Sequence, residues 1–456
     1  MKRYLSLLFG IGIIVWLLLK MALPDYSVIN ELYILLIFSC VVLPLYIRRF
    51  WNQLSLEKSL FSLGFLYFFI MWAIMLIGNL NYYVVQYIYP SYRLEIISAN
   101  LYWMAAMILF AEGYLSYKKK FIKRNKIYVI TNKSICFLFI LTCLSSILLV
   151  ANIGYIPFFT DQKGIGEELI GGSILIRLWT LNILTVFCCM YMIYKKKRWY
   201  FIVPFLISLF WTIILNQRML LFATFVGCFL ILIFYTKNIK RIVLLLLIGI
   251  FAYMFVNTSY LRRREKGQEY NEVLSSKKLS KFQSQNLYRT FNEYGQLARL
   301  ISEYNSDYLY GTTLINLPLG FIPAFVLTPL GIVKSELQKN NSAIISAQLF
   351  NSKSSIGIRT GLMGELYLNF SFFGVVLLFL LGRFVAFLNV RIRTYSFLDF
   401  RSIIFLSIYV IFLYSLIGQI DAIGSLIGTF LLFGCFLIIS WKSLGFRIAS
   451  IIIYNR

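Results

Sequence analysis

The sequence predicts an all-α fold: a polytopic helical membrane protein with about twelve transmembrane helices and one large outer loop. Three observations lead there. Apolar runs of roughly 20 residues recur from end to end, the length a helix needs to cross a bilayer core. The chain is 60% hydrophobic and only 14% charged, with a mean hydropathy of +0.78, where a soluble chain would carry about a quarter charged residues. The cations gather in short clusters between the apolar runs rather than along them.

The spans are expected at about residues 4–23, 29–47, 60–79, 96–115, 134–152, 173–194, 199–215, 219–235, 241–257, 362–388, 401–418 and 422–441. Met1 to Leu23 is long enough to span and lacks a small-residue cleavage site, so it reads as the first span rather than a removable signal. With the N-terminus inside, every inner segment is basic. These segments are Arg48-Arg49 with Lys58, "YKKKFIKRNK" (117–126), "KKKR" (195–198), "TKNIKR" (236–241), "VRIRTYSFLDFR" (390–401) and the tail with Lys442, Arg447 and Arg456. The outer segments are poor in cations, and "TDQKGIGEEL" (160–169) is net acidic. Both termini are therefore expected to be cytoplasmic. The net charge of +26 has the same origin, and no nucleic-acid partner is expected.

This topology divides the chain into nine N-terminal spans (1–257), an outer loop (258–361), and three C-terminal spans with a short tail (362–456). The loop has three parts. "LRRREKGQEYNEVLSSKK" (261–278) is basic. "FQSQNLYRTFNEYGQLARLISEYNSD" (282–307) reads as an amphipathic helix, with Leu287, Phe291, Tyr294, Ala298 and Ile301 at spacings of three and four. Arg289, Asn292, Gln296, Arg299 and Glu303 form its polar stripe. "YGTTLINLPLGFIPAFVLTPLGIVKSE" (310–336) is apolar but interrupted by Pro318, Pro323 and Pro329, so a re-entrant or interfacial segment is expected there rather than one helix.

The seven cysteines all lie in apolar runs and read as small packing residues. Histidine is absent, which removes an imidazole base and any His-ligated metal site. No nucleotide-binding loop, zinc motif or Ser/His/Asp set occurs, and neither a cofactor nor a metal is expected. Ionisable groups at membrane depth are costly and so mark candidate sites. Arg218 opens the eighth span, Arg359 and Glu365 open the tenth, Arg177 lies one turn into the sixth, and Asp421 lies between the last two. All are expected on the outer side. Asn369 shares the Glu365 face, four residues on. Clustered guanidinium groups suit an anionic substrate, because they make bidentate contacts to phosphate oxygens. Plainer roles stand beside this one. An arginine near a span end can snorkel to headgroups, the polar stripe can be a solvated face, and Glu365 can be the structural partner of an arginine. Glu112, Lys20 and Lys133 are expected at the interface.

In layout, and in three local segments, the chain resembles the bacterial O-antigen and capsule repeat-unit polymerases of the Wzy type. "NQRMLLFATFVG" is similar to that family's arginine at the start of a span. "YGTTLINLPLGFIPAFVLTP" is similar to its loop segment, with Ala324 where members often carry arginine. "TGLMGELYLNFSFFGVV" is similar to its Gly-Glu-x-Tyr-x-Asn-Phe-Gly element, with Ser371 where glycine is usual. The likeness covers the C-terminal half, and the N-terminal half agrees in hydropathy alone. The resemblance implies a multi-pass enzyme of the bacterial plasma membrane. Its substrate would be an oligosaccharide on undecaprenyl pyrophosphate, its surroundings membrane lipid, and a flippase and a chain-length regulator its candidate partners. It implies transfer of the growing glycan to the next lipid-linked unit. Arg218 and Arg359 would serve the pyrophosphate, assisted by Arg289 or Arg299. Glu365 is the best candidate to serve the acceptor hydroxyl, with Asp421 and Glu303 behind it, and Asn369 would join these in binding substrate. A flippase for the same lipid, a ligase that moves finished polymer, and a polyprenyl-phosphate-sugar glycosyltransferase are the competing readings. The flippase would be expected to show repeat symmetry and short loops.

Overall fold

A computed structural model describes residues 38–56, 62–84, 93–117, 125–154, 156, 174–215, 218–235, 293–303, 308–314, 322, 329, 331, 360–395, 399–416, 427–431, 433–434 and 448–451. Three helical stretches among them are long and apolar enough to cross a membrane, at Asn132–Ile153, Leu175–Tyr194 and Gly361–Arg393. Shorter apolar helices cover Leu63–Leu76, Trp199–Ile214, Leu220–Ile233 and Phe400–Tyr414. The chain is therefore a helical membrane protein. The expected spans at 4–23 and 241–257 lie outside the described residues, as do 29–37 of the second span, most of 422–441 and most of the expected outer loop.

In chain order the helices are α1 (Leu43–Leu56), α2 (Leu63–Val84), α3 (Arg93–Ser116), α4 (Asn132–Ile153), α5 (Ile174–Thr180) and α6 (Asn182–Lys196). There follow α7 (Ile202–Ile214), α8 (Arg218–Tyr235), α9 (Glu293–Glu303), α10 (Gly361–Phe370), α11 (Leu377–Tyr395) and α12 (Phe400–Tyr414). Local chemistry sets several ends. Thr131 and Ser134 cap α4 reciprocally: the Ser134 backbone N–H donates to Thr131 Oγ1 at 3.3 Å and the Thr131 N–H to Ser134 Oγ at 2.8 Å. At its other end Gly154 takes φ 78° and donates to the Val150 carbonyl, closing the last turn.

Helix α3 is the central post. It is buried on almost every side from Ser98 to Tyr114 and packs against α2, α9 and α11. Two glycines bring α3 and α11 together. A Cβ on Gly113 would lie 2.0 Å from the Phe379 carbonyl oxygen, and one on Gly382 would lie 2.1 Å from that of Phe110. Backbone approach this close is the small-residue packing typical of membrane helices. The outer surfaces are apolar. Ile140, Leu144, Ile147 and Leu148 on α4, and Val203, Leu206 and Phe210 on α7, are exposed in rows at helical spacing, as lipid contact requires.

A two-stranded sheet adds to the expected all-α architecture. β1 (Asn125–Tyr128) pairs antiparallel with β2 (Ile448–Ile451), Asn125 opposite Ile451 and Tyr128 opposite Ile448. The next residue, Val129, bridges to Asp399, and the Arg401 guanidinium lies 5.0 Å from the Tyr128 ring centre. Asn132 Nδ2 donates to the Tyr200 hydroxyl at 2.8 Å, and Arg198 donates to Asn132 Oδ1. Segments 125–132, 198–200, 399–401 and 448–451 thus meet at one end of the bundle. They adjoin four of the basic segments that the alternation of spans places on a single side.

Two of the expected features gain detail here. Glu112, expected at the interface, is buried in α3. It accepts from the Tyr46 hydroxyl at 2.7 Å and from both terminal nitrogens of Arg49, whose guanidinium lies over the Tyr46 ring. A buried carboxylate needs such a partner, and the pair ties α1 to α3. The expected span 362–388 falls within the apolar stretch Gly361–Arg393, which carries an internal bend. After α10 the chain passes through a 3-10 stretch, Ser371–Val376, before α11 begins. A Cβ on Gly374 would lie 2.5 Å from the Leu366 carbonyl oxygen. In a straight helix those positions are about 12 Å apart along the axis, so the chain bends back sharply at Phe370–Ser371.

Candidate functional site

Helix α10 is short and wholly enclosed. Gly361 to Asn369 are all buried, with Glu365 2% and Asn369 0% exposed. Its first turn is held by α12, through the Leu362 N–H donating to the Ser415 carbonyl at 2.9 Å. Helix α9, from the expected outer loop, packs against it. Leu300 lies against Gly364, where a Cβ would approach Leu300 Cδ1 to 3.2 Å. Tyr294 fits over Gly78 of α2, and its ring lies 6.0 Å from that of Trp103 on α3. The expected apolar face of α9 is the buried one at Tyr294 and Ala298, but Leu297 and Leu300 are buried as deeply. The loop helix is thus a packed member of the bundle.

The loop reaches α10 a second time through the turn at 308–314. Tyr310 and Gly311 both adopt left-handed backbone, φ 42° and 88°, which reverses the chain. Tyr310 is 81% exposed, while Gly311 lies close to Phe370, where a Cβ would come within 3.3 Å of Cζ. The Leu309 N–H donates to the Leu368 carbonyl at 3.1 Å. This turn delivers Thr313, which is buried.

Three side chains then form one network. Asn369 Nδ2 donates to Thr313 Oγ1 at 2.6 Å and to the Glu365 carbonyl at 2.8 Å. Thr313 Oγ1 donates to Glu365 Oε1 at 3.1 Å. The polarity is fixed by chemistry. An amide nitrogen only donates, so Thr313 Oγ1 accepts from it, and the hydroxyl's one proton goes to Glu365. The bond to the Glu365 carbonyl also fixes the rotamer of the Asn369 amide. Asn369 Oδ1 is left buried, with no hydrogen bond among the described residues. A buried acceptor without a donor is costly.

Aromatic rings wall the bend beside this network. The Tyr102 ring lies 5.9 Å from Tyr367 and 6.1 Å from Phe372, and Tyr308 meets Tyr367 edge-on at 6.3 Å. Tyr102 stands ten positions before Glu112, about 15 Å along α3. The network is therefore remote from the basic end, which lies beyond Glu112.

The structure brings Glu365 and Asn369 together, and it places Gln296 and Arg299 on the packed α9, both half-buried. Arg218 is the first residue of α8 and Glu303 the last of α9, but their side chains lie outside what is described. Arg289, Arg359 and Asp421 lie outside the described residues, as does most of 310–336. Arg177 falls in the last turn of α5, half-buried. Sequence reasoning missed Thr313, Tyr102 and Tyr367 as members of this region. Thr313 does lie in the "YGTTL" segment that carries the resemblance, which was the available signal. No family profile, curated protein or solved structure matches the chain.

Proposed function

We propose that the chain polymerises lipid-linked oligosaccharide repeat units of a surface polysaccharide, at the outer face of a bacterial plasma membrane, within a fold of about twelve spans. One observation carries this reading. The two segments that support the resemblance most, "YGTTL" and "GELYLNF", lie about fifty residues apart in sequence, yet they touch through a buried Thr–Glu–Asn network. A second supports it. Ser371 stands where the resembling element has glycine, and its backbone, φ 53° and ψ −145°, is of the kind glycine adopts.

The chemistry is a glycosyl transfer. The acceptor hydroxyl oxygen bonds to the anomeric carbon of the donor glycan as the bond from that carbon to the pyrophosphate oxygen breaks. The leaving undecaprenyl pyrophosphate takes the electron pair, and Glu365 takes the hydroxyl proton or orients it. Arg218 and Arg359 stabilise the charge developing on pyrophosphate, with Arg289 or Arg299 assisting. Asn369 Oδ1 accepts from a second substrate hydroxyl, and Asp421 and Glu303 are the alternative groups for the acceptor hydroxyl. A flippase and a chain-length regulator are the expected partners, and no nucleotide sugar is consumed.

Substitution tests the assignment. Arg218→Ala, Arg359→Ala and Glu365→Gln should each collapse polymer to single repeat units at normal protein levels. Full-length polymer in all three would remove the site. Arg359→Lys separates charge from fork geometry, and full activity there would exclude a bidentate phosphate contact.

A further inference from the structure

We infer that Thr313 is a positioning residue, through which the outer loop sets the catalytic carboxylate of Glu365; the inference rests on the polymerase reading above. Two adjacent threonines in the same turn show why. Thr312 is exposed and donates to the Leu309 carbonyl, three residues back, as turn threonines commonly do. Thr313 is buried and makes no such local bond among those described. Its hydroxyl instead joins two side chains of α10, 52 and 56 positions away in sequence. The turn is held against α10 independently, by the Leu309–Leu368 backbone bond and the Gly311–Phe370 contact. The Thr313 hydroxyl is therefore not needed to dock the turn, which leaves it free to act on the carboxylate.

The network runs in one direction. Asn369 gives a hydrogen to Thr313, and Thr313 gives its own to Glu365. Accepting a short bond makes the Thr313 hydroxyl a better donor, so the two bonds reinforce each other. The carboxylate is then fixed in rotation about its terminal torsion, which is otherwise broad. For a group that must meet an acceptor hydroxyl within hydrogen-bond reach, this fixes the geometry on which the rate depends. Because Thr313 comes from the loop and Glu365 from α10, the site is complete only with the loop docked.

The test is a hydroxyl-against-size series at position 313, measured with full-length protein reconstituted with a synthetic lipid-linked repeat unit. Thr and Ser carry the hydroxyl; Val and Ala lack it. Val matches Thr in shape, and Ala is close to Ser. Thr313→Ser should keep kcat within about threefold of the parent. Thr313→Val and Thr313→Ala should lower kcat roughly 10- to 100-fold with KM unchanged, the loss that one hydrogen bond to a charged group represents. Rates that follow side-chain size instead of the hydroxyl would overturn the inference. If one variant does not fold, the Ser and Ala pair still decides the matter. A parent protein that makes no product ladder refutes the polymerase reading itself and the role of Thr313 with it. A parent that makes the ladder while Thr313→Val keeps the parental kcat refutes only the positioning role.

Discussion

Ser371→Gly should stabilise the protein. Ser371 sits at the bend between α10 and the 3-10 stretch with φ 53° and ψ −145°, a combination that a side chain with Cβ rarely tolerates. Holding a non-glycine residue there costs about 1–3 kcal/mol. Glycine removes that strain but adds about 0.5–1 kcal/mol of conformational freedom to the unfolded chain. The balance is a gain of about 0.5–2 kcal/mol, or roughly 0.5–2 °C in Tm for a chain of this size. Thermal unfolding in one detergent at one scan rate would measure it, since membrane proteins commonly unfold irreversibly. Ser371→Ala is the control, because it keeps the Cβ and hence the strain, and should show no gain. If Gly were no more stable than Ala, the bend would not be strained and the argument for a glycine-like position would fall.

Two further predictions concern the rest of the bundle. Glu112→Ala should destabilise by about 2–4 kcal/mol, because it leaves Arg49 without its carboxylate; a quarter of the Arg49 side chain reaches solvent, so the loss falls short of that for a fully enclosed pair. Thermal unfolding checks this, and Glu112→Gln, which still accepts from Tyr46, should cost less. Lys126→Cys and Ser450→Cys, directly opposite in the β1–β2 register and introduced without the native cysteines, should cross-link under mild oxidation. Each singly should resist a membrane-impermeant thiol reagent until the cytoplasm is opened.

Charge and short-range spacing were readable in the sequence; contacts across distance were not. The clustering of cations placed 117–126, 195–198, 390–401 and the tail on one side, and the structure joins their neighbours at one end. Four-residue spacing put Glu365 and Asn369 on one face, and they bond through side chain and backbone. The α9 periodicity found Tyr294 and Ala298, yet missed Leu297 and Leu300, because a helix packed against several others buries a wider face than one stripe. Thr313 could not be found by spacing, since its partners are 52 and 56 residues on. The partner of Glu112 was hidden for the same reason, its cation lying 63 residues earlier. The pairing of "NKIY" with "IASI" has no local signature at all. The bend at 370–371 was hidden because serine, unlike glycine or proline, does not announce a break.

The central claim is that this chain alone elongates a lipid-linked glycan. Purified protein in liposomes, given a synthetic undecaprenyl-pyrophosphate oligosaccharide and no nucleotide sugar or other energy source, measures that directly. The account predicts a ladder of products spaced by one repeat unit, with release of undecaprenyl pyrophosphate, and loss of both in Glu365→Gln. Folded, correctly inserted protein that yields only the starting oligosaccharide would contradict it.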